Sequence, residues 1–138
     1  MRIRNLTDAH IIKNKKKGKI NFNISLASLK KYHGTPYWLI IQSNMEKCIR
    51  LTIYPLNKKK ITKLILTGKN IDGRKLDDLS EILKSLEIIH TSGILRMGEN
   101  ILYELYLNLS LSEFKEKTKN NTLQRIKKIF YDVGVEEI

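Results

Sequence analysis

Across residues 74–86 the apolar side chains Leu76, Leu79, Ile82, Leu83 and Leu86 return at helical spacing, and the runs on either side do not. Residues 61–67 before this stretch and 88–96 after it are short, aliphatic and bounded by turn formers, as strands are. A one-sided helix between two strands has to lay its apolar stripe on the sheet they build. This alternation of periods limits the second half of the chain more than any other feature. Asp77, Asp78 and Glu81 are expected in or near the first turns of the helix, where its positive end favours carboxylates. After a turn at Gly98-Glu99-Asn100, residues 101–109 read as a further strand. Ser110 and Glu113 fit a capping box, and the helical region they open is interrupted near Asn120-Asn121. Leu123, Ile126, Ile129 and Phe130 form its second stripe, and residues 130–138 end as a short edge strand.

The first half is organised differently. Residues 2–12 read as a strand or extended arm. Ile20, Phe22, Ile24 and Leu26 then alternate strictly with Asn21, Asn23 and Ser25. One or two helical turns follow, with Leu26, Leu29 and Tyr32 at three-residue spacing and Gly34 as the stop. Residues 37–42 and 48–55 are strands joined by a polar hairpin connection, with Arg50 and Thr52 on the side opposite Ile49, Leu51 and Ile53. Pro55 closes this part and Asn57-Lys58-Lys59-Lys60 is the best linker in the chain. The expected class is α+β. A β-rich N-terminal module spans residues 1–57, and a β-α-β-β-α-β, ferredoxin-like domain spans 61–138.

Charge separates these halves. Residues 1–60 hold 14 Lys and Arg against 2 acids, Asp8 and Glu46, a net of +12. Residues 61–138 hold 12 of each, so the formal +12 of the 138-residue chain belongs to its first 60 residues. Lysines that serve only solubility would be spread over both halves. Lys13, Lys15, Lys16, Lys17 and Lys19 surround Gly18, and with Arg2, Arg4, Lys30 and Lys31 they are the candidate contacts to a polyanion. Such contacts act on phosphates and carry little sequence information. The same run also fits a solvated loop. Asn21, Asn23 and Ser25 suit base edges or a plain wet face; Tyr32, Tyr37 and Trp38 suit base stacking, a core or a dimer interface.

Other classes are set aside on composition. No apolar run approaches the roughly 20 residues that span a bilayer, and the first residues lack a signal-peptide core, so a cytoplasmic protein without membrane contact is expected. A single cysteine, Cys48, precludes an internal disulfide, and three scattered histidines give no metal spacing. There is no nucleophile elbow and no phosphate-binding glycine fingerprint. Neither an enzymatic activity nor a cofactor is expected.

The stretch from the strand at 61–67 through Gly68, Asp72-Gly73, the amphipathic helix and Ile88-Ile89-His90-Thr91-Ser92-Gly93 resembles an ACT or ACT-like regulatory domain. That resemblance implies a ligand site at Gly68, Asn70, Asp72 and Gly73 with His90 and Thr91 on the neighbouring strand, and pairing of two protomers. Arg74 departs from the small apolar residue usual after the glycine. Residues 1–57 resemble, more loosely, swapped-hairpin DNA-binding domains of the AbrB/MazE/SpoVT type, in which basic N-terminal loops grip DNA. Ala27 and His33-Gly34-Thr35-Pro36 depart from that pattern. The combined expectation is a small homodimeric DNA-binding transcriptional regulator, with DNA ahead of RNA as partner and a small-molecule effector possible on the second module. An RNA- or ribosome-associated factor and a protein-interaction scaffold are the alternatives.

Overall fold

The structure, a computed structural model, describes Ala9, Ile11, Lys13, Gly18, Lys19, Asn21, Asn23 and residues 34–138. The chain divides into two compact units, Met1–His33 and Gly34–Ile138. In the first, Lys13, Lys19, Asn21 and Asn23 are exposed, and Gly18 has φ +80°, a left-handed conformation natural to glycine. Apart from Asn21 and Asn23, the strand expected over 20–26 lies outside the described residues, as do the helical turns over 27–33.

The second unit is α+β. Strands β1 (Tyr37–Asn44) and β2 (Ile49–Leu56) form an antiparallel hairpin. β3 (Thr62–Lys69), α1 (Gly73–Leu83), β4 (Ile88–Met97), β5 (Asn100–Leu107), α2 (Leu111–Lys117), α3 (Thr122–Ile129) and β6 (Asp132–Glu137) follow. The last four strands make a sheet of order β4-β5-β3-β6, antiparallel at every step. This arrangement is compatible with a ferredoxin-like domain.

One face of that sheet carries the helices. Leu64 and Leu66 of β3 and Ile101, Leu105 and Leu107 of β5 project to it at period two. They meet Leu79, Ile82 and Leu83 of α1, Phe114 of α2 and Ile126 of α3. All five residues of the first predicted stripe and all four of the second pack in this core. α1 is shorter than its stripe: Lys84 is its C-cap, and the Ser85 hydroxyl donates to the Ile82 carbonyl at 2.9 Å. Leu86 still reaches the core from the turn that follows.

The helix begins at Gly73 with Asp72 as its N-cap, so Asp77 and Asp78 fall just past the first turn of α1 and Glu81 further along. At α2 the capping box forms as the sequence indicates, with Glu113 N–H donating to Ser110 Oγ and Ser110 N–H donating to Glu113 Oε2. Lys58 Nζ also reaches Glu113 Oε2 at 2.7 Å. That bond first, then the Ser110 amide, holds the Glu113 carboxyl below its ordinary range. The break between α2 and α3 falls at Asn121, which has φ +70°, a left-handed geometry that asparagine tolerates better than most residues.

The opposite face of the sheet receives the hairpin. Leu39 and Ile41 of β1 bury against Ile61, with Tyr54, Leu56, Ile89 and Tyr106 around them. Ile61 is 1% exposed. Its backbone exchanges hydrogen bonds with Ile138, N–H to carbonyl at 3.2 and 2.9 Å. The boundary read from the sequence fell at 57–61. In the structure the chain divides between His33 and Gly34, and Asn57 to Lys60 link β2 to β3 inside the second unit. Packing is the physical reason: the hairpin's apolar side is buried on the sheet, and Lys58 is bonded to α2.

Candidate functional site

A groove of about 680 Å³ opens between the tip of the β1–β2 hairpin and strand β4. This volume falls within the range usual for small-molecule sites, roughly 300–1,000 Å³. Its roof follows from strand alternation. Leu39 stands opposite Tyr54, Ile41 opposite Thr52 and Ser43 opposite Arg50. These three pairs share the hairpin face turned to the sheet, which passes from apolar to polar towards the tip.

Behind His90 and Glu104, which line the groove, runs a chain of aromatic and charged contacts. Tyr54 Oη and His90 Nδ1 are hydrogen-bonded at 2.8 Å. The His90 ring lies edge-to-face between Tyr54 and Tyr106, with centroids 5.6 and 6.0 Å apart, a geometry favoured by ring quadrupoles. Lys63 Nζ sits 5.4 Å from the Tyr106 centroid and 3.2 Å from Glu104 Oε1. Partial burial by itself would lower the Lys63 ammonium. Its hydrogen bond to Glu104 and the Tyr106 hydroxyl outweigh that and hold it above its ordinary value.

The wall is irregular. β4 breaks register between Ile88 and His90 and again between Thr91 and Ile94. Gly93, φ +74°, takes the left-handed turn at the second break. Ser92 Oγ repairs the ladder there, accepting from the Glu104 amide at 3.0 Å and donating to the Gly93 carbonyl at 2.7 Å. Bulges of this kind re-aim side chains beside functional sites.

The six residues expected to bind a ligand fall into two places. His90 and Thr91 line the groove. Gly68 pairs with Ile101, whereas Thr91 and His90 pair with Leu105 and Tyr106. Four or five residues of β5 separate those rows, about 13–17 Å at the rise of a strand. Gly68, Asn70, Asp72 and Gly73 therefore stand at the other end of the sheet. Asp72 Oδ1 accepts from the Lys75 amide at 2.9 Å, and the Asn70 carbonyl accepts from Lys75 Nζ at 3.3 Å.

Gly68 is needed for packing. A Cβ there would lie 2.8 and 2.9 Å from Ile71 side-chain atoms and 3.0 Å from Phe130 Cδ1. We expect Gly68→Ala to lose about 1–3 kcal/mol through overpacking, measured by urea unfolding; an unchanged midpoint would show that Ile71 and Phe130 yield freely.

Of the expected polyanion contacts, Lys13 and Lys19 are exposed; Arg2, Arg4, Lys15, Lys16, Lys17, Lys30 and Lys31 lie outside the described residues. The sequence reading assigned no role to Arg50, Thr52, Tyr54, Ser92, Glu104 or Tyr106. The period-two order of Arg50, Thr52 and Tyr54 on a half-buried strand was the available signal. Among the described residues no group of three or more His, Cys, Asp or Glu is arranged to hold a metal ion, and no helix is long and apolar enough to cross a membrane. No protein-family model matches the chain, and no curated protein matches it.

Proposed function

We propose that this protein is a small DNA-binding regulator. Its basic N-terminal segment contacts phosphates, and its ferredoxin-like, ACT-like unit pairs protomers or holds a small effector. Charge distribution carries the reading. Residues 1–33, the first compact unit, contain nine Lys and Arg against one acid, a net of +8 in 33 residues. The remaining 105 residues hold 17 against 13, a net of +4. The order β3-α1-β4-β5-α2-α3-β6, with β3 and β5 central in the sheet, supports the ferredoxin-like half of the reading. The groove beside His90 supports an effector site. Pairing two protomers would double the number of phosphates neutralised.

Fluorescence anisotropy with a labelled 30-base-pair duplex tests this. The wild type should bind at low salt and weaken as salt rises, with log K falling linearly in log salt. K15Q/K16Q/K17Q should make that slope shallower by about 2–3, because each lost phosphate contact removes about 0.9. Failure to bind duplex DNA at low salt, or a slope untouched by the triple change, would reject the proposal. Tighter binding of an RNA duplex in competition would move the partner to RNA.

A further inference from the structure

We infer that α3 presents a phosphate-binding surface of its own for a nucleic-acid backbone, formed by Arg125, Lys127 and Lys128. This rests on the reading of the protein as DNA-binding. The zero net charge of residues 61–138 hides an uneven distribution. α1 mixes Arg74 and Lys75 with Asp77, Asp78 and Glu81, and α2 mixes Lys115 and Lys117 with Glu113 and Glu116. α3 carries three cations and no acid, alone among the described helices.

Geometry gathers those cations. At 100° per residue, Lys127, Gln124, Lys128 and Arg125 occupy one arc of roughly 160°, while Leu123, Ile126 and Ile129 fill the arc turned to the core. Arg125, Lys127 and Lys128 are all exposed. The neighbouring cations are engaged: Lys117 lies 4.0 Å from Glu87, Lys119 lies 2.6 Å from Glu116, and Lys115 acts on Glu137. Arg125, Lys127 and Lys128 form none of the ion pairs found among the described residues. Lys127 and Lys128 stand in the last turn, where cations suit the helix dipole. That does not account for Arg125, which lies before the last turn. Three exposed cations gathered within about one helical turn, with no ion pair among the described residues, suit adjacent phosphates of a duplex backbone.

The test uses the full chain and the same duplex. R125Q/K127Q/K128Q should make the salt slope shallower by about 2–3 and weaken binding at least tenfold at 100 mM salt. R74Q/K75Q/K84Q on α1 removes the same charge and should leave the slope within about 0.5 of wild type. An unchanged slope in the α3 variant, with the loss confined to K15Q/K16Q/K17Q, would overturn the inference and leave the DNA-binding reading standing. An equal loss in the α1 variant would reduce the effect to net charge and overturn it too. A wild type that binds no duplex at low salt would remove the DNA-binding reading and the α3 surface with it.

Discussion

Phe130→Ala is expected to lower the unfolding free energy by about 3–5 kcal/mol, the usual range for emptying an aromatic site in a core. For a unit of this size that is a fall in melting temperature of about 10–20 °C. Phe130 is 1% exposed and ties α3 to β3. It is the C-cap of α3, its amide donates to the Ile126 carbonyl at 3.0 Å, and its ring stands over Gly68 of β3. The test is urea unfolding of Phe130→Ala beside Phe130→Leu, which keeps most of the apolar volume and should lose less. The pair also tests the contact with Gly68. Gly68→Ala combined with Phe130→Leu should be less destabilised than the sum of the two, since both act on one contact. A loss below about 1 kcal/mol for Phe130→Ala, or strict additivity, would remove the ring from this role.

Ile61→Ala should have an effect nearly as large and distributed differently. Deleting a fully buried isoleucine costs about 2–5 kcal/mol, and Ile61 is the residue outside the hairpin that is fully buried with Leu39 and Ile41. An isolated two-stranded hairpin is marginal in water. Much of what holds β1 and β2 to the sheet therefore passes through this contact. Hydrogen exchange should show protection of the β1–β2 amides falling well before that of β3 and β5. The groove roof formed by Thr52 and Arg50 would be lost in the same step. Equal loss of protection in both sheets would show instead that hairpin and sheet open as one cooperative unit.

Local periodicity carried much of the architecture to the reader of the sequence. The stripes of α1 and α3 were legible because 3.6-residue spacing needs no knowledge of what the helix packs on. Asn121 was legible as a break, and Ser110 with Glu113 as a cap. What covers the far side of a sheet was not legible. Leu39 and Ile41 alternate like any half-buried strand, and nothing near them names Ile61 and Tyr106 as partners. The lysine-rich link at 57–60 looks like a boundary until Lys58 is seen bonded to Glu113 and Lys60 to Glu137. Asp72 shows the same limit at one residue. Ahead of Gly73 an aspartate suits a ligand loop and a helix cap equally, and only the hydrogen bond to the Lys75 amide distinguishes them. The groove was half visible: His90 and Thr91 were marked, but register placed Arg50, Thr52 and Glu104 beside them.

The register breaks in β4 bear on solubility as well as on the groove. An antiparallel sheet that does not close leaves two rows of unpaired amides and carbonyls, and such rows template aggregation. Here one outer strand is interrupted twice within ten residues, and the other runs for only six and carries Asp132, Glu136 and Glu137. Neither offers a long, regular, uncharged border for a stranger's strand to extend. Exposed Ile94, Leu95 and Met97 sit beyond the second break, so the stickiest part of that border is confined to the four paired residues from Ile94 to Met97. The kink that shapes the groove wall thus also works against fibre-like growth along this border.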